Sequence, residues 1–363
     1  MNNKYKLKKI AEELIGMPLA KFSSDQKLIK NHSKNNRLYY FVANDNKEYA
    51  LKSYSKDKFH NRLDVEFETL NYLTKSGNFN IPEPIARNTE ENCGIYSWIN
   101  GEKVKNISEI EVYQVVNFIE QLNKLSRKTK LINFPNAKES CFSADIIVRQ
   151  IISRYNTLNR IAPFNNDLTE FLRDDLGPLI TPLIIKTKKQ YHNTTVKFDG
   201  EIENINKILS PSDFGFHNSI KNKDGELYFI DFEYFGWDDP SKLIGDFLLH
   251  PAIQEINFYL KEWKLFYSLI LNLFKKDPNF NKRLLINLPL LTMRWSLILL
   301  NEFLPSNWDR RIFSGERKSK NVVLNTQLKK AKTYTRLVRW AINNDENDYL
   351  SENYIDNFYL KTF

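Results

Sequence analysis

Cysteine is nearly absent from this chain of 363 residues, with Cys93 and Cys141 the only two. Neither has the neighbours of a metal site or of a disulfide framework, which excludes zinc-finger and disulfide-scaffold classes. The two could bridge, but two buried thiols in a reducing cytoplasm fit better. Met1 to Ile10 is polar and lysine-rich with no apolar core after it, so no secretory signal is expected. A long uninterrupted apolar run is also missing. The most apolar segment, Leu288 to Leu304, carries Arg294 near its middle and is broken by Asn301 and Glu302. A charge at such a place costs roughly 2.5–3.5 kcal/mol on insertion scales, so a core helix is expected rather than a membrane span. Internal repeats, low-complexity linkers and any nucleic-acid recognition module are lacking. A soluble, cytoplasmic protein with no membrane or nucleic-acid partner follows as the expectation.

With 42% hydrophobic and 13% aromatic residues the chain can bury substantial cores, and its length exceeds one ordinary core. Net charge is +9, with lysines dispersed rather than blocked, which suits anionic ligands such as nucleotides and phosphates. A short amphipathic helix is predicted over 5–17. Strands follow at Arg37–Val42 and Glu48–Lys52 around the polar turn Asn44-Asp45-Asn46. Residues 62–76 read as a helix stopped by Gly77. Ile81-Pro82-Glu83-Pro84 must be extended, because each proline biases its predecessor away from the helical region. A further strand, Gly94–Trp98, ends at Asn100-Gly101. Beyond it, helical patterns cover 108–127, 143–160, 166–190, 201–209, 241–249, 254–275, 283–304 and 321–342. This is an α+β chain with two lobes: a sheet-plus-helix lobe over 1–99 and a mainly helical one over 100–363, joined near residues 97–104.

One stretch interrupts the helical part, Pro211-Ser212-Asp213-Phe214-Gly215-Phe216-His217-Asn218, followed by Leu227-Tyr228-Phe229-Ile230-Asp231-Phe232-Glu233. Asp213 and Asn218 lie five residues apart on a tight loop, and Asp231 closes a buried apolar run thirteen residues later. Each alone is an ordinary turn residue. Together they supply what phosphoryl transfer from a nucleotide requires: a carboxylate toward the acceptor hydroxyl, then an amide oxygen and a second carboxylate for Mg²⁺.

The pattern resembles the catalytic core of the aminoglycoside phosphotransferase and choline kinase family, relatives of the protein kinases, and the resemblance extends over most of the chain. The family's His-Gly-Asp, four residues and Asn stands here as Pro211-Ser212-Asp213 to Asn218. Its second motif is met by Ile230-Asp231-Phe232-Glu233, and Gly236-Trp237-Asp238-Asp239-Pro240 is similar to its Gly-x-x-Asp-Pro turn. The resemblance implies a protein-kinase-like two-lobe fold, Asp213 as catalytic base, and Asn218 and Asp231 as Mg²⁺ ligands. ATP is the implied nucleotide, with GTP as the alternative. Three departures stand out. Pro and Ser replace His and Gly. Leu243 occupies the place of an Asp that supports the catalytic loop backbone. Asp246, nearly a helical turn later, is the expected substitute for that Asp.

Lys52, closing Tyr49-Ala50-Leu51-Lys52, must neutralise something or reach out to solvent. In the family this lysine contacts the nucleotide phosphates and is held by a helix Glu. Glu66 fits that role through its spacing to Leu70 and Leu73, and Glu68 is the competitor. The family's phosphate-covering loop aligns with His32–Tyr39, which has no glycine; Ser33 and Asn35 can still form a turn offering backbone N–H groups. The implied adenine contacts are the backbone groups of Ser97 and Ile99. Candidates for the small-molecule acceptor site are Glu233, Tyr234, Trp237, Asp238 and Trp295. The acceptor classes are a sugar or sugar-like metabolite, a choline-like cation and an aminoglycoside. A nucleotide-binding pseudokinase is the rival reading.

Overall fold

The computed structural model describes residues 3–23, 36–57, 60–128, 134–315 and 318–344. The chain divides into two compact units. The first is Met1–Val104 with Phe216–Phe235 and Asp309–Arg317; the second is Lys105–Gly215, Gly236–Trp308 and Lys318–Phe363. The boundary expected at 99/100 is therefore displaced, and the segment carrying Asn218 and Asp231 belongs to the first unit rather than to the helical one. Hydrogen bonding explains this. Ser219–Lys221 pairs with both Glu102–Lys103 and Leu227–Phe229, and the Phe229 N–H donates to the Asn80 carbonyl at 2.9 Å.

The first unit opens with helix α1 (Asn3–Ile15) and a five-stranded antiparallel sheet in the order β1-β2-β3-β5-β4. Its strands are β1 (Leu19–Ser23), β2 (Asn36–Ala43), β3 (Glu48–Tyr54), β4 (Pro84–Asn88) and β5 (Cys93–Ser97). The β2–β3 turn is the predicted one, with Asn46 in the left-handed region at φ 65°. Leu7, Ile10 and Ala11 of α1 pack on Phe41, Leu51 and Ile95 and seal one face of the sheet. Helix α2 (Arg62–Ser76) begins at an Asn61 cap that accepts the Asp64 N–H and stops at Gly77. Gly101 is required by close approach. A Cβ there would lie 2.3 Å from the Lys221 carbonyl oxygen and 2.6 Å from Ile220 Cγ2.

In the second unit, α3 (Glu109–Lys128) and α4 (Ala144–Ile161) match expectation within a residue or two. The predicted helix over 166–190 is α5 (Asn166–Glu170), a π-helical turn at Phe171–Leu176 and α6 (Gly177–His192). Next come α7 (Pro240–Leu249), α8 (Leu260–Leu273) and α9 (Phe280–Leu299), then α10 (Pro305–Phe313), of which Asp309–Phe313 counts with the first unit, and α11 (Lys320–Asn343). By length and composition Phe280–Phe303 could cross a membrane, but 78% of its apolar window is buried. α9 packs against α4, α7 and α11 as a core helix. The helix predicted over 201–209 is not formed. A short 3₁₀ turn, Asn204–Asn206, leads into a strand, Ile208–Ser210, antiparallel to Gly236–Asp238. Ile208 and Leu209 are adjacent and both fully buried, as in a strand covered on two faces, whereas Ile205 is exposed.

Candidate active site

Strand β3 brings Lys52 into the first unit's interior, where its largely buried ammonium must find anions. It donates to Glu66 Oε2 at 2.6 Å and to Asp231 Oδ1 at 2.6 Å, and Glu233 Oε2 lies 3.6 Å away. Glu66 is clamped from several sides. Its Oε2 also accepts the Tyr54 hydroxyl at 2.7 Å, and its Oε1 accepts the Phe232 N–H at 3.3 Å. The Tyr54 and Tyr96 hydroxyls meet at 2.7 Å. Glu68, the competing sequence candidate, faces outward and pairs with Arg87. The segment after the metal-candidate Asp is fastened to the first residue of β2 and to the start of α2. Asn36 Nδ2 donates to Glu233 Oε2 at 2.5 Å, His60 Nε2–H donates to the Glu233 carbonyl at 2.6 Å, and Arg62 lies 3.7 Å from Glu233 Oε1.

One lysine serves three carboxylates, of which Glu66 and Glu233 are buried. Burial alone would lower the Lys52 pKa, but Asp231, Glu66 and Glu233 outweigh it and hold the ammonium well above its ordinary value. Burial raises Glu66 in spite of Lys52. Burial and then the neighbouring Asp231 push Glu233 up to about 7. Asp231 itself adopts φ 70°, an uncommon backbone state that Asp tolerates better than most residues and that is concentrated at functional sites.

A cavity of about 130 Å³ in the first unit is lined by Lys52, Glu66, Ser97, Ile99, Gly101, Asn218 and Asp231 among others. The structure thus brings together, in one unit, six residues singled out from the sequence: Lys52, Glu66, Ser97, Ile99, Asn218 and Asp231. Ser33 and Asn35 lie outside the described residues. The donor set fits Mg²⁺, a hard cation held by oxygens. Asn218 offers an amide oxygen, Asp231 keeps Oδ2 while Oδ1 meets Lys52, and the nearest carboxylate oxygens of Glu66, Asp231 and Glu233 lie within 4.8 Å of one another.

Asp213 belongs to the second unit. Its N–H donates to the Pro211 carbonyl at 2.9 Å, which closes a three-residue turn with Ser212 at its centre and φ 66°. This is the position the kinase motif gives to glycine. Ser212 holds the strained conformation through its own polar groups: its N–H donates to Ser210 Oγ at 3.0 Å and its hydroxyl donates to the Lys138 carbonyl at 2.9 Å. The Asp213 side chain is 36% exposed, with His250 Nε2 3.7 Å from Oδ1.

Asp246 does not support this loop, contrary to expectation. Its carboxylate takes Arg294 at 3.0 and 3.1 Å, the Trp295 indole N–H at 2.8 Å and Lys242 at 3.0 Å. Burial opposes its ionisation, but Arg294 and Lys242 prevail and hold its pKa below the ordinary range. Leu243, at the aligned place, is core.

The acceptor-site candidates separate under the structure. Asp238 is fully buried, with Oδ1 accepting the Cys141 N–H and Oδ2 accepting Lys242, so it does not face an acceptor. Glu233 is likewise buried and belongs to the Lys52 cluster. Sequence adjacency to Asp231 was the signal for both, and adjacency does not determine facing. Tyr234 is stacked on His60, with the Arg62 guanidinium over its ring. Trp237 lies in the short strand paired with Ile208–Ser210, half-buried. Trp295 has its indole N–H tied to Asp246 and its ring edge-to-face with His250 at 5.0 Å. Asn36, Tyr54, His60, Arg62, Tyr96 and His250 were not singled out from the sequence. Only His250 carried a cue, as a histidine before proline at the end of a helical pattern.

No protein-family model matches the sequence, and no match was found among curated proteins. Solved structures do match. The chain has the protein-kinase-like α+β fold of the aminoglycoside phosphotransferase and choline kinase family. Among the similar structures are an ethanolamine kinase from Plasmodium vivax (15% identity, covering 91% of this chain and 87% of that one, TM-score 0.57) and the choline kinase LicA from Streptococcus pneumoniae (16%, 91% and 99%, 0.56). A spectinomycin phosphotransferase in complex with ADP and spectinomycin is similar at 13% identity, 92% and 98% coverage, and TM-score 0.57. At these identities the likeness is one of fold.

Proposed function

We propose that this chain is an ATP- and Mg²⁺-dependent phosphotransferase acting on a hydroxyl group of a small metabolite. The observation that carries the reading is Lys52, held between Glu66 and Asp231 in the wall of a cavity that Asn218 also lines. A buried lysine sharing three carboxylates is a costly arrangement for structure alone, and it suits a nucleotide phosphate chain that arrives with its own charge. Lys52 would meet the phosphates, Glu66 would fix the lysine, and the backbone of Ser97 and Ile99 would receive the base. Asn218 and Asp231 would hold Mg²⁺, which when bound neutralises phosphate charge. Asp213 would orient the acceptor hydroxyl and take its proton. The similar structures include kinases named for ethanolamine, choline and spectinomycin, and the acceptor here is a small hydroxyl compound of the sugar-like, choline-like or aminoglycoside-like kind. The rebuilt support of the loop by Ser210 and Ser212 favours an active enzyme over a pseudokinase.

Mg·ATP is expected to raise the melting temperature of the parent protein by mass action, and Lys52→Ala to lose most of that shift. GTP is run alongside. An equal shift in the variant, or none in the parent with either nucleotide, rejects the reading.

A further inference from the structure

Resting on that reading, we propose that His250 is a positioning residue for the Asp213 carboxylate, its Nε2–H facing Oδ1. The tautomer follows from the hydrogen bonds. His250 is the first residue after α7, and its Nδ1 accepts the Ala252 N–H at 3.2 Å, capping the 3₁₀ turn Pro251–Glu255. With Nδ1 occupied as an acceptor, the proton of the neutral ring sits on Nε2. That nitrogen is the one 3.7 Å from Asp213 Oδ1.

The ring is held in this orientation from below. Trp295 meets it edge-to-face, with centroids 5.0 Å apart at 87°. The Trp295 indole N–H donates to Asp246, and Asp246 is fixed by Arg294 and Lys242, both almost fully buried. The preceding residue is anchored too, since the Tyr334 hydroxyl donates to the Leu249 carbonyl at 2.5 Å. A helix cap needs only an acceptor at Nδ1. It does not need Nε2 aimed at a carboxylate from a platform of buried charges. At 3.7 Å the contact is longer than a hydrogen bond, as catalytic contacts often are before substrate tightens them.

Substitutions separate capping from positioning. His250→Asn keeps a side-chain acceptor where Nδ1 stood but removes the Nε2 donor. His250→Gln restores an amide N–H at the reach of Nε2. In the full chain, with water as acceptor and Mg·ATP as donor, Asn should lower kcat about tenfold while KM for Mg·ATP stays within about twofold, and Gln should recover most of the loss. A parental kcat in the Asn variant, or Gln no better than Asn at an equal melting temperature, overturns the proposal. A second measurement does not depend on activity. In the ¹⁵N-histidine spectrum, where the chain has five histidines, His250 should be the Nε2–H tautomer and its Nε2 resonance should move in Asp213→Asn. An Nδ1–H tautomer or an unmoved resonance overturns the juxtaposition. An absence of Mg·ATP turnover in the parent would instead strike the kinase reading, on which the spectrum does not rest.

Discussion

At the scale of single residues, the proton count around Lys52 bears on how stability depends on pH. Glu233 is 1% exposed, and its Oε1 has no hydrogen-bond partner among the described residues. Burial and Asp231 raise its pKa to about 7 from an ordinary value of 4.5. Between those two values the folded chain holds a proton that the unfolded chain has released. The Glu233 contribution to stability is therefore present at low pH, declines as pH rises through that window, and is flat above it. Glu233→Gln, neutral at every pH, should remove this component, so that the urea midpoint of the variant falls less than the parent's between pH 5 and pH 7.5. Parallel slopes would mean that Glu233 titrates normally. Of this cluster, the Lys52–Glu66 pair was legible because strand and helix periodicities each placed one member. The clamp by Asn36, His60 and Arg62 was not legible, since Asn36 and Glu233 lie 197 residues apart and nothing local marks such a partner.

At the scale of elements, the buried charges of α7 and α9 show how one mistaken placement arises. Reading α7 alone, Asp246 is an acidic residue one near-turn from an aligned site, and a role in the catalytic loop follows naturally. Its true partners come from its own helix four residues back (Lys242) and from α9, forty-eight residues on (Arg294). Lys242 sits between Asp238 and Asp246 with its side chain 1% exposed. Removing one member of such a network strands the others, at a cost of about 3–5 kcal/mol, whereas replacing the whole set with well-packed apolar residues can be neutral. Asp246→Ala should accordingly lower unfolding free energy by that order in a urea titration. The fourfold change Asp238→Asn, Lys242→Met, Asp246→Leu, Arg294→Met, which leaves no buried carboxylate of this set without its cation, should recover most of the loss. Failure of the fourfold variant to improve on the single one would show that packing, not stranded charge, sets the cost. The segment 201–209 differs for a related reason: Ile202, Ile205 and Leu209 mimic a helical stripe, but Ile208–Ser210 is claimed by strand pairing with Gly236–Asp238.

At the scale of the whole molecule, the sequence revealed the class of fold and the polar residues but not how the chain is apportioned. Composition changes near residue 100, so a boundary there was readable. That Phe216–Phe235 returns to the first unit was not, because its short strands depend on pairing with Glu102–Lys103 and on Asn80. The division bears on the proposed function. Asp213 belongs to one unit, while Lys52, Asn218 and Asp231 belong to the other, so under that proposal work on the acceptor and grip on the nucleotide would fall to different parts of the chain. Positioning and charge stabilisation supply most of the rate in phosphoryl transfer, and a base that touches only the acceptor contributes little to nucleotide affinity. Asp213→Asn should then reduce turnover by about 10²-fold or more while leaving the Mg·ATP-induced rise in melting temperature close to the parent's. Asp231→Asn should diminish both, since it removes a carboxylate proposed for Mg²⁺ and one of the anions on Lys52. Calorimetric binding of Mg·ATP beside steady-state turnover in the two variants makes the comparison. Full turnover in Asp213→Asn would mean that another group takes the acceptor proton. Equal loss of nucleotide affinity in both variants would mean that Asp213 serves the nucleotide as much as the acceptor.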